Sequence, residues 1–343
     1  MPGNFSAHTS LYSSTSSFNV TLVILYATIV LVGLAGNSFV VTIVFKTRSM
    51  FTSTNILLAN VAVADIVSLL WCPIPLIAGL CNVRISSEKA HYLCKFFTSY
   101  SVTCLTVSVT YQSLVVLAVE RYHAIVKPFN NALMLTNDRM FYAILAIWIM
   151  AILCSLPGFI FSEYDEKLGR CLDPWTLEKA GTFRWIAILY LSASVLFSGA
   201  LLYCYLQILR GIFVNKTVCS SEVASMRQSN LKEKRRLALI SLTVTVAYHL
   251  CYLPFLMFEL YIAFQSQQRI LENYEELYKV YRVVGFIMYV NSMLNPFIYG
   301  FQSSNYRNNF RRLFFRGSTT VDISLTSPNS RRNPPSTVFS AET

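Results

Sequence analysis

The sequence predicts an all-α membrane protein: a seven-transmembrane helix bundle with its N-terminus outside and a short amphipathic eighth helix. Three observations carry this. Charged residues are only 13% of the 343 residues and hydrophobic ones are 54%, whereas soluble domains run at about 25% charged. The charges are segregated into short stretches, leaving seven runs that each reach the roughly 20 residues a helix needs to cross the hydrocarbon core. Lys and Arg gather on alternate connections between those runs, as membrane topology requires.

The first run has no Asp, Glu, Lys or Arg from Met1 to Phe45 and predicts a span over about 18–45. The second, Arg48 to Arg84, encloses only Asp65 and predicts 52–80. Phe96 to Val119 predicts 94–124, Met140 to Ser162 predicts 140–162, and Trp185 to Leu209 predicts 184–212. Leu237 to Phe258, ending at Glu259, predicts 233–264, and Val283 to Tyr306 predicts 280–302. The bundle therefore covers 18–302. Membrane strands would need only about 9–11 residues and would alternate apolar with polar, which these runs do not. Residues 1–17 carry no basic n-region, so no cleaved signal peptide is expected, and this Ser/Thr-rich stretch is expected to be a short disordered outer tail.

With the N-terminus outside, 18 of the 28 Lys and Arg fall on cytoplasmic segments, with six acids, and ten on outer segments, with nine acids. The formal net charge of +11 thus reports topology and inner-leaflet contact. A nucleic-acid partner is not expected. The composition excludes an intrinsically disordered chain, and nine cysteines in 343 residues are too sparse for a disulfide scaffold. Asn4-Phe-Ser and Asn19-Val-Thr are glycosylation sequons on the outer face, Asn19 being close to the bilayer. Residues 303–316 read as an amphipathic helix on the inner leaflet, with Phe310, Leu313 and Phe314 down and arginines at lipid phosphates. Residues 317–343, rich in Ser, Thr, Pro and Asn, are expected to be a disordered cytoplasmic tail offering phosphate acceptors.

Polar groups inside membrane helices are expensive and mark function by default. Gly36-Asn37 lies in the first span, Asn60-Val-Ala-Val-Ala-Asp65 in the second, Glu120-Arg121-Tyr122 at the end of the third and Trp148 in the fourth. Cys251-Tyr252-Leu253-Pro254 lies in the sixth. Asn291-Ser292 and Asn295-Pro296-Phe297-Ile298-Tyr299 lie in the seventh. Pro254 and Pro296 each remove a backbone hydrogen bond and weaken their helices locally, which suits hinges in a bundle that must open; a static kink is the competing reading. Arg121 beside Glu120 reads either as a charge pair that holds an inactive state or as a snorkelling arginine. One carboxylate at Asp65 among hydroxyls and amide oxygens suits a hard cation, or a protonated Asp65 in a hydrogen-bonded network.

In this order the motifs resemble the rhodopsin-like (class A) G-protein-coupled receptors, over about Gly36 to Arg316. The resemblance implies an extracellular ligand, activation of heterotrimeric G proteins, and a plasma-membrane location. It also implies arrestin and receptor kinases as partners, contact with membrane lipid, and no enzymatic activity. It makes Glu120, Arg121, Tyr122, Tyr205, Pro254, Asn295, Pro296 and Tyr299 the activation switch. It makes Asp65, Thr110, Asn291, Ser292 and Asn295 a polar core that holds a sodium ion; no other cofactor is implied. It pairs Cys94 with Cys171, tying the second outer loop to the third span. The chain departs from the pattern in three places: the Cys94–Arg121 step is two residues longer than usual, Phe197 stands where the fifth span normally has proline, and Tyr252 stands where tryptophan is usual.

The absence of an acid from Phe96 to Val119, where Thr103 takes the amine-receptor position, disfavours a biogenic amine. With Tyr289 near the depth where an opsin needs lysine, a retinal Schiff base is disfavoured too. Glu259, with Thr103, Tyr252, Tyr281, Arg282 and Tyr289, is left to line an upper pocket. It would pair with a cationic group of a ligand, and an acidic outer rim including Glu163, Asp165, Glu166, Asp173, Glu272, Glu275 and Glu276 would steer one. An internal pair with Arg282 is the alternative for Glu259. The pattern resembles the peptide-binding branch and implies a neuropeptide or peptide hormone. A receptor of the same fold for a non-peptide small molecule is the runner-up, and a transporter or channel, lacking an inverted repeat, stands further back.

Overall fold

The computed structural model describes residues 4–74, 77, 89–98, 101–127, 135, 137–165, 170–172, 180–213 and 224–314. Seven helices among them are long and apolar enough to cross a membrane. They are α1 (Asn4–Lys46), α2 (Ser53–Trp71), α3 (Ser101–Val126), α4 (Asn137–Phe161), α5 (Ala180–Phe213), α6 (Ala224–Ala263) and α7 (Tyr274–Gln302), followed by the short α8 (Ser304–Phe314). The tail 317–343, Cys81, and Glu166 and Asp173 of the acidic rim lie outside the described residues.

Several helices run past their expected ends. The stretch expected to be a disordered tail is helical from Asn4. No Gly or Pro interrupts the chain between Asn4 and Val32, so nothing there breaks a helix. The hydroxyls of Thr21 and Thr28 bond back to the carbonyls of Ser17 and Ile24, both at 2.9 Å, which keeps those polar groups satisfied within the helix. α6 likewise starts at Ala224 and α7 at Tyr274, so both project beyond their uncharged cores.

The extra length between Cys94 and Arg121 is accommodated at the outer end of the third span. A helical turn at Lys89–Leu93 leads into a π-helical turn at Cys94–Thr98, and α3 begins at Ser101. A π turn holds more residues per turn than an α-helix. It therefore takes up residues without displacing the inner half of α3. Cys94 and Cys171 are joined as a disulfide. Cys171 sits on β2 (Arg170–Leu172), which pairs antiparallel with β1 (Glu163–Asp165) in the register Tyr164↔Cys171. The two paired strands are thus stapled to the π-helical turn that precedes α3.

α2 is the most enclosed span and α5 the most outward-facing. On α5, Leu189, Val195, Leu196 and Leu202 are exposed, a face that lipid would cover. The inward faces are tied by polar groups as well as by packing. Trp148 Nε1 donates to Asn60 Oδ1 at 3.0 Å, and Asn60 Nδ2 donates to Ser113 Oγ at 2.9 Å, which links α4, α2 and α3.

α1 and α7 approach closely at Gly36 and Pro296. Pro296 cannot donate to the carbonyl of Ser292, four residues earlier. Asn37 Nδ2 takes that carbonyl instead, at 2.8 Å, and also donates to Gly33 O at 2.9 Å. Gly36 makes the approach possible: a Cβ there would stand 2.8 Å from Pro296 Cγ. An unmet buried carbonyl costs about 1–3 kcal/mol. Asn37→Ala is therefore expected to lower the thermal midpoint of the purified protein by about 2–6 °C. The check is dye-monitored unfolding in detergent, and an unchanged midpoint would show that the Ser292 carbonyl finds another donor.

Candidate ligand cavity and switch residues

The inward faces of α2, α3, α6 and α7 leave a small cavity of about 20 Å³, measured as the space open to the centre of a water-sized sphere. Its floor is Asp65, Ser68, Thr110, Asn291 and Ser292, and its upper wall is Thr106, Tyr248, Tyr252, Met288 and Tyr289. The fold thus joins two groups of residues that the sequence presents separately, the polar core and part of the ligand pocket. Asn295 Nδ2 donates to Asp65 Oδ2 at 2.8 Å. The side-chain oxygens of Asn291 and Asn295 are buried and accept no hydrogen bond.

Of the expected pocket residues, Tyr252 and Tyr289 line this cavity. Thr103 reaches it indirectly, with its hydroxyl 2.7 Å from the Tyr289 hydroxyl, bridging α3 to α7. Tyr281 packs above, with ring centroids 5.9 Å from Phe255 and 5.6 Å from Phe258. Glu259 is half-buried and lies close enough to Tyr252 and to Cys104 of α3 to interact electrostatically with both. Arg282 does not join this group. It turns to α1, where Nη1 donates to Asn19 Oδ1 at 2.8 Å. The internal pair between Glu259 and Arg282 therefore does not form. Asn19 is half-buried in that contact, and Asn4 lies in the first turn of α1.

Below the cavity, the departures from the expected pattern are structurally linked. With no proline in α5, Phe197 points outward, 48% exposed. The adjacent Ser198 and the nearby Ser194 carry the contact to the bundle. Tyr111 of α3 donates to the Ser194 carbonyl at 3.0 Å, and its oxygen lies 3.1 Å from Ser198 Oγ. Ser198 Oγ is also 3.1 Å from His249 Nε2 of α6. His249 Nδ1 is 2.7 Å from the Thr245 carbonyl. A carbonyl only accepts, so Nδ1 carries a proton; in the neutral ring Nε2 then accepts from Ser198, whose oxygen shares the Tyr111 proton with the Ser194 carbonyl. The rings of Tyr111, Tyr248 and Tyr252 stack in succession, with centroids 5.6 and 5.5 Å apart. Tyr252 is thus the top of an aromatic column that continues to Phe255.

The switch residues each have a local partner. Arg121 forms an ion pair with Glu120, and both side chains are largely buried. Glu120 also accepts from Thr54 Oγ1 of α2 at 3.2 Å. Tyr122 packs edge-on to His123 and lies under Lys127. Tyr205 is 2.9 Å from Thr245 Oγ1 of α6. Tyr299 is fully buried and stacks on Tyr306 of α8, its hydroxyl without a partner. None of Arg121, Tyr205 and Tyr299 hydrogen-bonds another. Pro254 and Pro296 lie within α6 and α7.

Residues that sequence reasoning passed over tie α6 to the end of α7. Arg236 of α6 donates from Nε to the Gln302 carbonyl at 2.6 Å and from Nη1 to Ser304 Oγ at 2.7 Å. Gln302 Nε2 returns a bond to Thr243 Oγ1 of α6 at 2.9 Å. Arg307 caps the neighbouring carbonyls of Gly300 and Phe301. The C-terminal carbonyls of a helix are an acceptor site for cations, and here one of the two cations comes from α6. The signal in the sequence was the cluster Lys234-Arg235-Arg236, which positive-inside topology explains without any specific contact. Tyr111, Ser198 and His249 gave no signal, because their pairing crosses three helices.

Tyr111→Phe and Ser198→Ala are expected to be non-additive. Thermal stability in a double-mutant cycle should show about 0.5–1.5 kcal/mol of coupling; strict additivity would mean that the two hydroxyls do not interact.

The comparisons with known proteins agree with this architecture. Residues 36–299 match the family model of the 7 transmembrane receptor (rhodopsin family). The chain is similar to somatostatin receptor type 5 of Rattus norvegicus, 29% identical over 296 residues, covering 86% of this chain and 77% of that protein. Somatostatin receptor type 4 of Rattus norvegicus is 30% identical over 298 residues, covering 86% and 72%. Somatostatin receptor type 1 of Rattus norvegicus is 26% identical over 329 residues, covering 91% and 76%. With a family model spanning most of its length over seven helices that can cross a membrane, the chain belongs to the rhodopsin family of seven-transmembrane receptors, a multi-pass plasma-membrane receptor that signals through G proteins and is not an enzyme.

Proposed function

We propose that the extracellular ligand is a peptide that presents a cationic group, an amine or guanidinium, to Glu259. The observation that carries this is the placement of Glu259 beside Tyr252, the residue that walls the cavity. A carboxylate half-buried above an aromatic wall favours a charge-assisted hydrogen bond with a cation. The similarity to receptors named for the peptide somatostatin supports the peptide class. So does the hairpin held by Cys94–Cys171, a fixed edge against which a chain of several residues can lie. Arrestin, receptor kinases and inner-leaflet lipid complete the proposed partners. α8 supports the lipid contact, because Phe310 packs against Phe39 of α1 while Arg311 and Arg312 sit on the same short helix.

The polar core fits a sodium ion. Asp65 supplies a carboxylate, Asn291 and Asn295 supply buried amide oxygens with no hydrogen bond, and Thr110 and Ser292 add hydroxyls around the same space. This all-oxygen donor set suits a hard cation, which would neutralise Asp65 and bridge α2 to α7. Opening of the cytoplasmic face then requires the α6 contacts of Arg236, Gln302 and Tyr205 to break, which frees the inner end of α6 to move.

Three measurements test these readings. Glu259→Gln should reduce agonist potency at least tenfold at unchanged surface expression; equal potency would remove Glu259 from the site. Replacing choline chloride with sodium chloride should raise the thermal midpoint of the wild type by about 2–4 °C and leave Asp65→Asn unmoved. A sodium effect that survives in Asp65→Asn would place the ion elsewhere. Arg236→Ala should raise basal G-protein activation severalfold without agonist, and adding Arg121→Ala should abolish that rise. Unchanged basal activity in Arg236→Ala would show that its contacts do not restrain α6.

A further inference from the structure

We propose that the guanidinium of Arg282, at the outer seam between α1 and α7, is a binding site for an oxyanion, a carboxylate or a phosphate. The plane of Arg282 lies 5.4 Å from the Phe18 ring centroid and 6.0 Å from that of Tyr278. One edge is met: Nη1 donates to Asn19 Oδ1 at 2.8 Å. The other edge is not. Nε and Nη2 are both buried and have no hydrogen-bond partner. Those two nitrogens point their N–H groups the same way and form the fork that grips a carboxylate or phosphate with two parallel bonds.

Arg282 is half-buried, and two of its donors held away from water without an acceptor are costly. Among the described residues no carboxylate pairs with Arg282, and Asn19 offers a neutral oxygen only. The missing acceptor therefore comes from outside the described residues, and its chemistry is set by the fork: planar or tetrahedral, anionic, with two oxygens about as far apart as the two N–H groups. The ring of Phe18 covers the guanidinium, so the anion enters as that first turn of the α1 span shifts. The site lies above Tyr26, whose ring meets Phe286 and Tyr289 at 5.3 and 5.9 Å. Through Tyr289 it adjoins the wall of the cavity. The anion has two sources, the phosphate of an outer-leaflet lipid or the carboxylate of a soluble molecule. The inference does not rest on the Glu259 reading, because its test needs no agonist.

The full-length receptor, purified in a neutral maltoside detergent, is unfolded thermally with two probes at constant ionic strength. One is phosphatidylglycerol in mixed micelles, with diacylglycerol as its phosphate-free counterpart. The other is N-acetylglycine at millimolar concentration, with N-acetylglycinamide as its neutral counterpart. At least one oxyanion should raise the wild-type midpoint by about 2–4 °C while its neutral counterpart does not. A rise with phosphatidylglycerol alone assigns the lipid source, and a rise with N-acetylglycine alone assigns the soluble one. Arg282→Gln should lose the rise, and Arg282→Lys, which keeps the charge without the fork, should keep less than half of it. Asn19→Ala, which leaves the fork intact, should retain it. If neither oxyanion moves the wild type, or if Arg282→Gln and Arg282→Lys respond as the wild type does, the proposal fails.

Discussion

A backbone carbonyl in hydrocarbon has no water to turn to, and the fold is arranged around one that proline leaves unmet. Pro296 strips the Ser292 carbonyl of its helical partner, and Asn37 of α1 replaces it at 2.8 Å. That bond requires α1 to lie against the kink, which only the missing side chain at Gly36 permits. The kink sits one turn below the cavity floor and just above Tyr299. Ser292 belongs to both the kink and the floor, so a change in the helix at Pro296 is felt at Asp65 and at the inner face alike.

Above that point the interior is wet in chemistry and aromatic in packing. Asp65, Thr110 and the asparagines of α7 cluster there, with the Asn295 amide donating to Asp65 while the amide oxygens of Asn291 and Asn295 remain without a donor. Tyr111, Tyr248 and Tyr252 stack alongside. The hydroxyl of Tyr111 adds what an aliphatic side chain cannot, a directed bond to α5 continued through Ser198 to His249. A straight α5 is thereby held to α3 and α6 by hydrogen bonds, where a proline kink would otherwise bring the helices together by shape.

The inner face is closed by contacts distributed over several pairs. Arg121 is satisfied by its neighbour Glu120 and by way of Thr54 tied to α2, so it does not hold α6. That restraint falls to Arg236 on the carbonyl end of α7 and to Tyr205 on Thr245. Both engage α6 at the end that must move, and both use bonds that water or a partner protein can replace once the face opens. The energetic gap between closed and open states is then set by a few exchangeable hydrogen bonds, a condition for a ligand of ordinary affinity to shift the equilibrium.

Length and charge segregation alone determined the seven spans and their orientation, because the cost of charge in lipid acts on each segment independently of its neighbours. The resemblance carried by the motif order also implied the Cys94–Cys171 bridge, which the structure contains. Helix ends were less legible: nothing in residues 4–17 forbids a helix, so α1 simply continues. The tertiary structure decided which side chains face each other across helices. Glu259 and Arg282 look alike as lone outer charges, yet one borders the cavity wall at Tyr252 while the other turns to Asn19. His249 and Ser198 carry no signal in the sequence until α3, α5 and α6 bring Tyr111 to them. Arg236 reads as one more cytoplasmic cation until the end of α7 lies beneath it. Periodicity says which residues share a face, but the rotation of each helix about its axis is set by close packing against the others, and a turn of tens of degrees exchanges one partner for another.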